Sequence, residues 1–164
     1  MLSSADREAF AYAVMDEVRR WPGVELRPHP SHTQPGESDG VEFRLFGRQF
    51  GHVHASCDLH LSLTKGLKQW VLGEDLAAPL TLSSAPGWAM YQPMTLDDAK
   101  QTIWLLRLNY VRLRRQRLTP AAAAGSALLQ QHEAALAVLR PGISPIIQRT
   151  QARSRRRPLP GLEL

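Results

Sequence analysis

The sequence predicts an α+β fold. It implies a small antiparallel β-sheet of four or five strands, covered on one face by an N-terminal helix and a long helix over residues 96–116, with an extra C-terminal helix appended. Three observations carry that expectation. Short apolar/polar alternations between residues 24 and 91 have the period of two that half-buried strands require, and turn residues separate them. Phe10, Val14, Val18 and Trp21, and later Leu96, Ala99, Ile103, Leu106, Tyr110 and Leu113, recur at the three- and four-residue steps of a helix. Finally, 164 residues with 43% hydrophobic side chains suit one enclosed core.

Taken in order, Ser3 with Asp6 resembles a capping arrangement, so residues 4–20 read as an amphipathic helix that Pro22-Gly23 stops. Val24 to Arg27 predicts a short strand. Residues 28–36, with three prolines and a glycine, predict a loop that carries His29 and His32. Val41-Glu42-Phe43-Arg44-Leu45 alternates as a strand, Gly47 turns, and residues 50–63 read as a β-hairpin around the loop Ala55-Ser56-Cys57. Thr64 caps a short helix to about Leu72, with Gly73 as its stop. Residues 74–87 read as an irregular connection, and Gly87 to Tyr91 as a strand with Trp88 and Met90 on one face and Ala89 and Tyr91 on the other. Thr95-x-x-Asp98 is a capping box for the long helix, whose terminal Arg112, Arg114, Arg115 and Arg117 complement its negative pole. Thr119-Pro120 opens a further helix to about Leu139, closed by Pro141-Gly142. The expected organisation is an α+β domain over residues 1–118, an appended helix over 119–140, and a basic tail over 141–164 read as disordered.

Charge and cysteine content narrow the function classes. Residues 140–164 hold six of the twenty Lys and Arg and one of the fifteen acids, so the rest of the chain is neutral and only the tail is basic. Its arginines can bind polyanions at low salt, but the plainer reading is a solvated end, and nucleic acid is not the expected partner. The first twenty residues are too charged for a signal peptide, and no run approaches eighteen apolar residues, so no membrane is expected and the cytoplasm is the default location. Cys57 alone excludes an internal disulfide. A Gly-rich phosphate loop, a Cys-x-x-Cys pair and a Gly-x-Ser-x-Gly elbow are all absent, which leaves nucleotide-dependent and common hydrolase mechanisms without support. The appended helix can pack on the body or on a second subunit, as in a homodimer.

The chemistry concentrates in the hairpin. With a three-residue loop, His54 faces Asp58, His52 faces His60 and Phe50 faces Ser62, and opposed residues share a face with Cβ atoms about 4.5–5.5 Å apart. His52, His54, Asp58 and His60 then gather on one side, an arrangement that a one-residue slip would scatter. Three imidazoles and a carboxylate support acid/base catalysis, with Asp58 orienting His54, or a divalent metal held by His52, His54 and His60; a solvated polar face is the plain alternative. Arg44 can hold an anionic substrate group or pair with a surface acid. Trp88 and Tyr91 can wall a pocket for a flat ligand or belong to the core. His29 and His32 can swing over the hairpin as extra ligands.

Gly51-His52-Val53-His54 followed by Cys57-Asp58-Leu59-His60-Leu61-Ser62-Leu63 resembles the luciferase-domain family, the fungal luciferase and its bacterial relatives. Gly87-Trp88-Ala89-Met90-Tyr91, Thr95-Leu96-Asp97-Asp98-Ala99 and Asn109-Tyr110 follow in the family's order, and Trp21 to His29 and Gly40 to Arg44 resemble its bacterial members. The resemblance implies a cofactor-independent enzyme of oxygenase type that oxidises a small, flat, enolisable aromatic molecule with molecular oxygen as co-substrate. In that scheme His52 or His54 removes a proton and Asp58 orients the base. His60 and Arg44 stabilise the anion, while Trp88, Tyr91 and His29 border the substrate. A divalent metal on the same histidines is the alternative, as is a non-catalytic binding or interaction module.

Overall fold

The computed structural model describes residues 2–31, 33–80, 87–141, 143 and 146. By its contacts the chain divides into two compact units, Met1–Tyr110 and Val111–Leu164.

The first unit is an α+β layer. Helix α1 (Ser4–Val18) begins with the expected capping box: Ser3 Oγ accepts from the Asp6 amide at 3.2 Å, and the Asp6 carboxylate accepts from the Ser3 amide at 3.2 Å. It ends two residues earlier than the periodicity predicts. Phe10, Val14 and Val18, one turn apart, are its buried stripe. Strands β1 (Val24–Pro30), β2 (Ser38–Leu45), β3 (Arg48–Val53), β4 (Leu59–Ser62), β5 (Ala78–Pro79) and β6 (Trp88–Tyr91) form one antiparallel sheet in the order β1-β2-β3-β4-β6-β5. The sheet therefore has six strands rather than four or five. The extra one is the short β5, formed within the segment expected to be irregular.

β1 also corrects the expectation of a loop from residue 28. It runs on through Pro28, His29 and Pro30, pairing Pro28 with Val41 and Pro30 with Ser38 across a bulge. Proline is tolerated because β1 is an edge strand, where a missing N–H breaks no ladder. His29 consequently stands on the sheet and not on a mobile loop. Between β2 and β3, Phe46 and Gly47 both have positive φ (54° and 74°), as a two-residue hairpin turn requires.

One sheet face packs on helices. Phe43, Phe50, Leu59, Leu61 and Ala89 are fully buried. Helix α2 (Lys65–Gly73) is capped by Thr64, and its Trp70 lies 6.5 Å from Trp104. Its stop is Asp75, in the left-handed conformation at φ 54°, and not Gly73: the amides of Asp75 and Leu76 close the end on Leu72 and Val71. Helix α3 (Ala99–Gln116) follows a single 3₁₀ turn at Leu96–Asp98. Its buried Asn109 donates to the carbonyls of Phe50 (2.6 Å) and Ser62 (2.8 Å), the positions just beyond the last paired residues of β3 and β4. Gly51 makes that approach feasible, since a Cβ there would lie 2.8 Å from Leu106 and 3.1 Å from the His60 carbonyl.

In the second unit the single helix expected after Thr119-Pro120 is two, α4 (Pro120–Ala124) and α5 (Ala127–Leu139). Gly125 ends the first, and Ser126 caps the second by accepting from the Leu129 amide at 3.3 Å. Arg115 and Glu133 form a half-buried ion pair there. The arginines of the tail from residue 149 onward lie outside the described residues. Among the described residues, no helix is long and apolar enough to cross a membrane.

Candidate functional site

The register expected of the hairpin forms. His52 pairs with His60 and Val53 with Leu59, and the loop closes with the His54 amide on the Asp58 carbonyl at 3.0 Å and the Cys57 amide on the His54 carbonyl at 2.9 Å. Cys57 takes the left-handed conformation at φ 76°, the third position of a three-residue loop where glycine is usual. Its buried thiol lies 3.6 Å from the Arg7 carbonyl, and burial pushes its pKa up, so it stays protonated.

Three imidazoles converge on the sheet face away from the apolar core. His52 Nε2 lies 3.2 Å from His54 Nε2 and 3.0 Å from His60 Nδ1, and the last two are 3.3 Å apart. Around them stand groups that fix ring orientation. His54 Nδ1 meets the Asp39 carboxylate at 2.9 Å, and the other Asp39 oxygen accepts from the Ala55 amide at 3.3 Å. Burial pushes the Asp39 carboxyl up, but the hydrogen bonds from His54 and the Ala55 amide, with the favourable electrostatics of the His54 and His29 rings, outweigh it and hold it below its ordinary range. A carboxylate at Nδ1 keeps that nitrogen protonated, so His54 presents its Nε2 lone pair to the cluster. His52 Nδ1 meets the Gln49 amide at 2.9 Å.

His29 joins from β1. Its ring stacks on His52 with centroids 3.8 Å apart and planes 11° from parallel, and it meets His54 edge-on at 5.2 Å. Glu42, paired with His52 across β2 and β3, approaches His29 at 4.0 Å and accepts from Arg44 at 2.9 Å. Trp88, on β6 beyond His60, tilts against His52 at 5.2 Å. On the opposite, α1-covered side of the sheet, an apolar cavity of about 240 Å³ is walled by Val14, Met15, Val41 and Val53 and extends to His54 and Ala55.

Of the residues singled out from the sequence, His52, His54, His60, His29 and Trp88 are thus brought together. Asp58 is not the partner of His54: its carboxylate accepts from the Ser56 hydroxyl at 2.9 Å, because the left-handed turn at Cys57 folds the loop hydroxyl onto it. Arg44 is committed to Glu42 and, at 2.6 Å, to the Gly47 carbonyl, so its charge neutralises Glu42 and the turn without reaching the imidazoles. Tyr91 belongs to the opposite alternation from Trp88 and donates to Asp98; burial, then that bond and the Asp98 charge, push its pKa up to about 12. His32 lies outside the described residues.

Asp39, Gln49 and Glu42 had escaped the sequence reading as members of the site. The one local mark of Asp39 is the glycine after it. Gly40 has φ +115°, and a Cβ there would sit 2.0 Å from the Val53 carbonyl oxygen, so β2 can press onto β3 and deliver Asp39 to His54 only with glycine at that position.

The fold and site define an α+β domain that carries a half-buried, carboxylate-backed histidine cluster on one sheet face. Residues 47–109 match the family model named Luciferase domain, which agrees with the resemblance carried by the hairpin, the Gly87-Trp88 strand and the opening of α3. No curated protein and no solved structure matches the chain.

Proposed function

We propose that the chain is a luciferase-domain enzyme of oxygenase type, which ionises a small enolisable aromatic molecule at the histidine cluster and exposes the resulting electron-rich enolate to molecular oxygen. The observation that carries this reading is the Asp39–His54 pair at 2.9 Å, which leaves a basic lone pair on His54 Nε2 facing the cluster. In the metal-free protein that nitrogen takes the enolic proton, and the carboxylate stabilises the imidazolium that forms. His60 Nδ1 and His52 Nε2, 3.3 and 3.2 Å away, are placed to donate to the developing oxyanion. Trp88 offers an aromatic wall beside His52 for a small flat ligand.

Oxygen consumption by the full-length chain, screened against a panel of enolic aromatics, tests the proposal. Turnover on one class should fall by about 10²–10⁴-fold in His54→Ala, the range expected of a positioned base, with the fold intact by circular dichroism. An active substrate whose turnover is unchanged in that variant would show that the cluster is not the site.

A further inference from the structure

We propose that His52 Nε2, His54 Nε2 and His60 Nδ1 hold a single divalent first-row transition-metal ion, with Asp39 and Gln49 as the outer groups that aim two of the rings. This deepens the oxygenase reading and rests on it for the chemistry, though not for the binding.

The separations carry the argument. Imidazole nitrogens bound 2.0–2.1 Å from one ion lie about 3.0 Å apart at right angles and about 3.4 Å apart at the tetrahedral angle. The three separations here are 3.0, 3.2 and 3.3 Å. His29, His52 and His54 make a looser trio, with ring nitrogens within 4.8 Å of one another. That spread is too wide for a shared ion without rearrangement, and His29 lies flat against the face of the His52 ring. The trio of His52, His54 and His60 is therefore the ligand set.

Proton accounting points the same way. Asp39 commits His54 to an inward lone pair. Among three mutually adjacent nitrogens with one fixed as an acceptor, hydrogen bonds can satisfy at most two of the three contacts. The third sets two protons or two lone pairs against each other. A cation at the centre satisfies all three lone pairs at once. The outer groups fit as well: a ligating histidine characteristically gives its other N–H to a carboxylate or carbonyl. Asp39 does this for His54, and a half-turn of the Gln49 amide lets its oxygen accept from His52 Nδ1–H.

Three protein nitrogens on one side of an ion leave positions open for water or substrate, the arrangement of a catalytic and not a structural centre. With an ion in place, His52, His54 and His60 would hold it through their inward lone pairs, and it would supply Lewis-acid chemistry by lowering the pKa of an enol oxygen at an open position.

The test is a Co²⁺ titration of the untagged full-length chain followed by visible absorption, with zinc content measured after dialysis against Zn²⁺. One equivalent should bind, with the d–d bands of a nitrogen-ligated ion. His52→Ala and His60→Ala should abolish binding, and Asp39→Asn should weaken it by about 10–100-fold while secondary structure is retained. Mass-spectrometric mapping of histidine modification by diethyl pyrocarbonate, on the wild-type chain with and without Zn²⁺, keeps the test decisive even where a variant fails to fold: His52, His54 and His60 should be protected together. Absence of binding, or binding unaffected by both alanine variants, overturns the metal site and leaves the oxygen-uptake reading standing. Stoichiometric metal with no oxygen uptake on any enolic probe supports the centre while removing the oxygenase assignment.

Discussion

Gly40 and Asn109 show how single residues hold the site together. A side chain at Gly40 meets backbone, not a flexible neighbour, with the Val53 carbonyl oxygen 2.0 Å from the added carbon. Gly40→Ala should therefore part β2 from β3 and withdraw Asp39 from His54. Its checks are a lowered melting temperature and displaced His54 ring resonances in the NMR spectrum at fixed pH. Asn109 is a buried donor to two strand carbonyls. Asn109→Leu removes both bonds, a loss of about 1–3 kcal/mol in urea unfolding at about 0.5–1.5 kcal/mol for each. Cys57→Gly relieves a left-handed φ of 76° but empties a buried site against α1, so its thermal stability reports which of the two effects is larger.

Among the elements, the start of α3 carries a pH signature. The Asp98 carboxylate loses hydration on burial, which raises its pKa. The amides of Thr95 and Met94, the Tyr91 hydroxyl and the Thr95 hydroxyl outweigh that and lower it below its ordinary value of 3.8. A carboxyl with a depressed folded-state pKa contributes stability that is fully present above its unfolded value and is lost as pH falls through the folded value. Unfolding measured from about pH 5 down to pH 2 should show that decline, and Asp98→Asn should flatten part of it. This element was legible from sequence because Thr95 and Asp98 sit three residues apart and the apolar steps that follow are local. The hairpin was legible for the same reason, its loop fixing which histidines share a face. Asp39 reaches His54 from fifteen residues away through the pairing of β2 with β3, which no local periodicity encodes. The break between α4 and α5 was missed because an Ala-rich run masked the Gly125-Ser126 stop and restart.

For the molecule as a whole, the stretch that matches the Luciferase domain is smaller than the unit that builds the site. Residues 47–109 contain the three clustered imidazoles, but α1, β1 and β2 precede them and supply Asp39, Glu42 and His29. A fragment limited to residues 47–109 loses two of the six strands and the helix whose Phe10, Val14 and Val18 are buried. It should give the poorly dispersed NMR spectrum of an unfolded chain, whereas a folded, dispersed spectrum would mean that those elements are dispensable.

The prolines in the outermost strands bear on solubility. Among the described residues the sheet ends at β1, which carries Pro28 and Pro30, and at β5, two residues long and ending in Pro79. A strand margin with a full set of free amides templates the addition of foreign strands, and proline removes those donors. Pro28 and Pro30 act, on this view, as gatekeepers against self-templated polymerisation. Replacing both with valine should leave the chain folded yet shorten the lag before light scattering and thioflavin fluorescence rise on storage at high concentration.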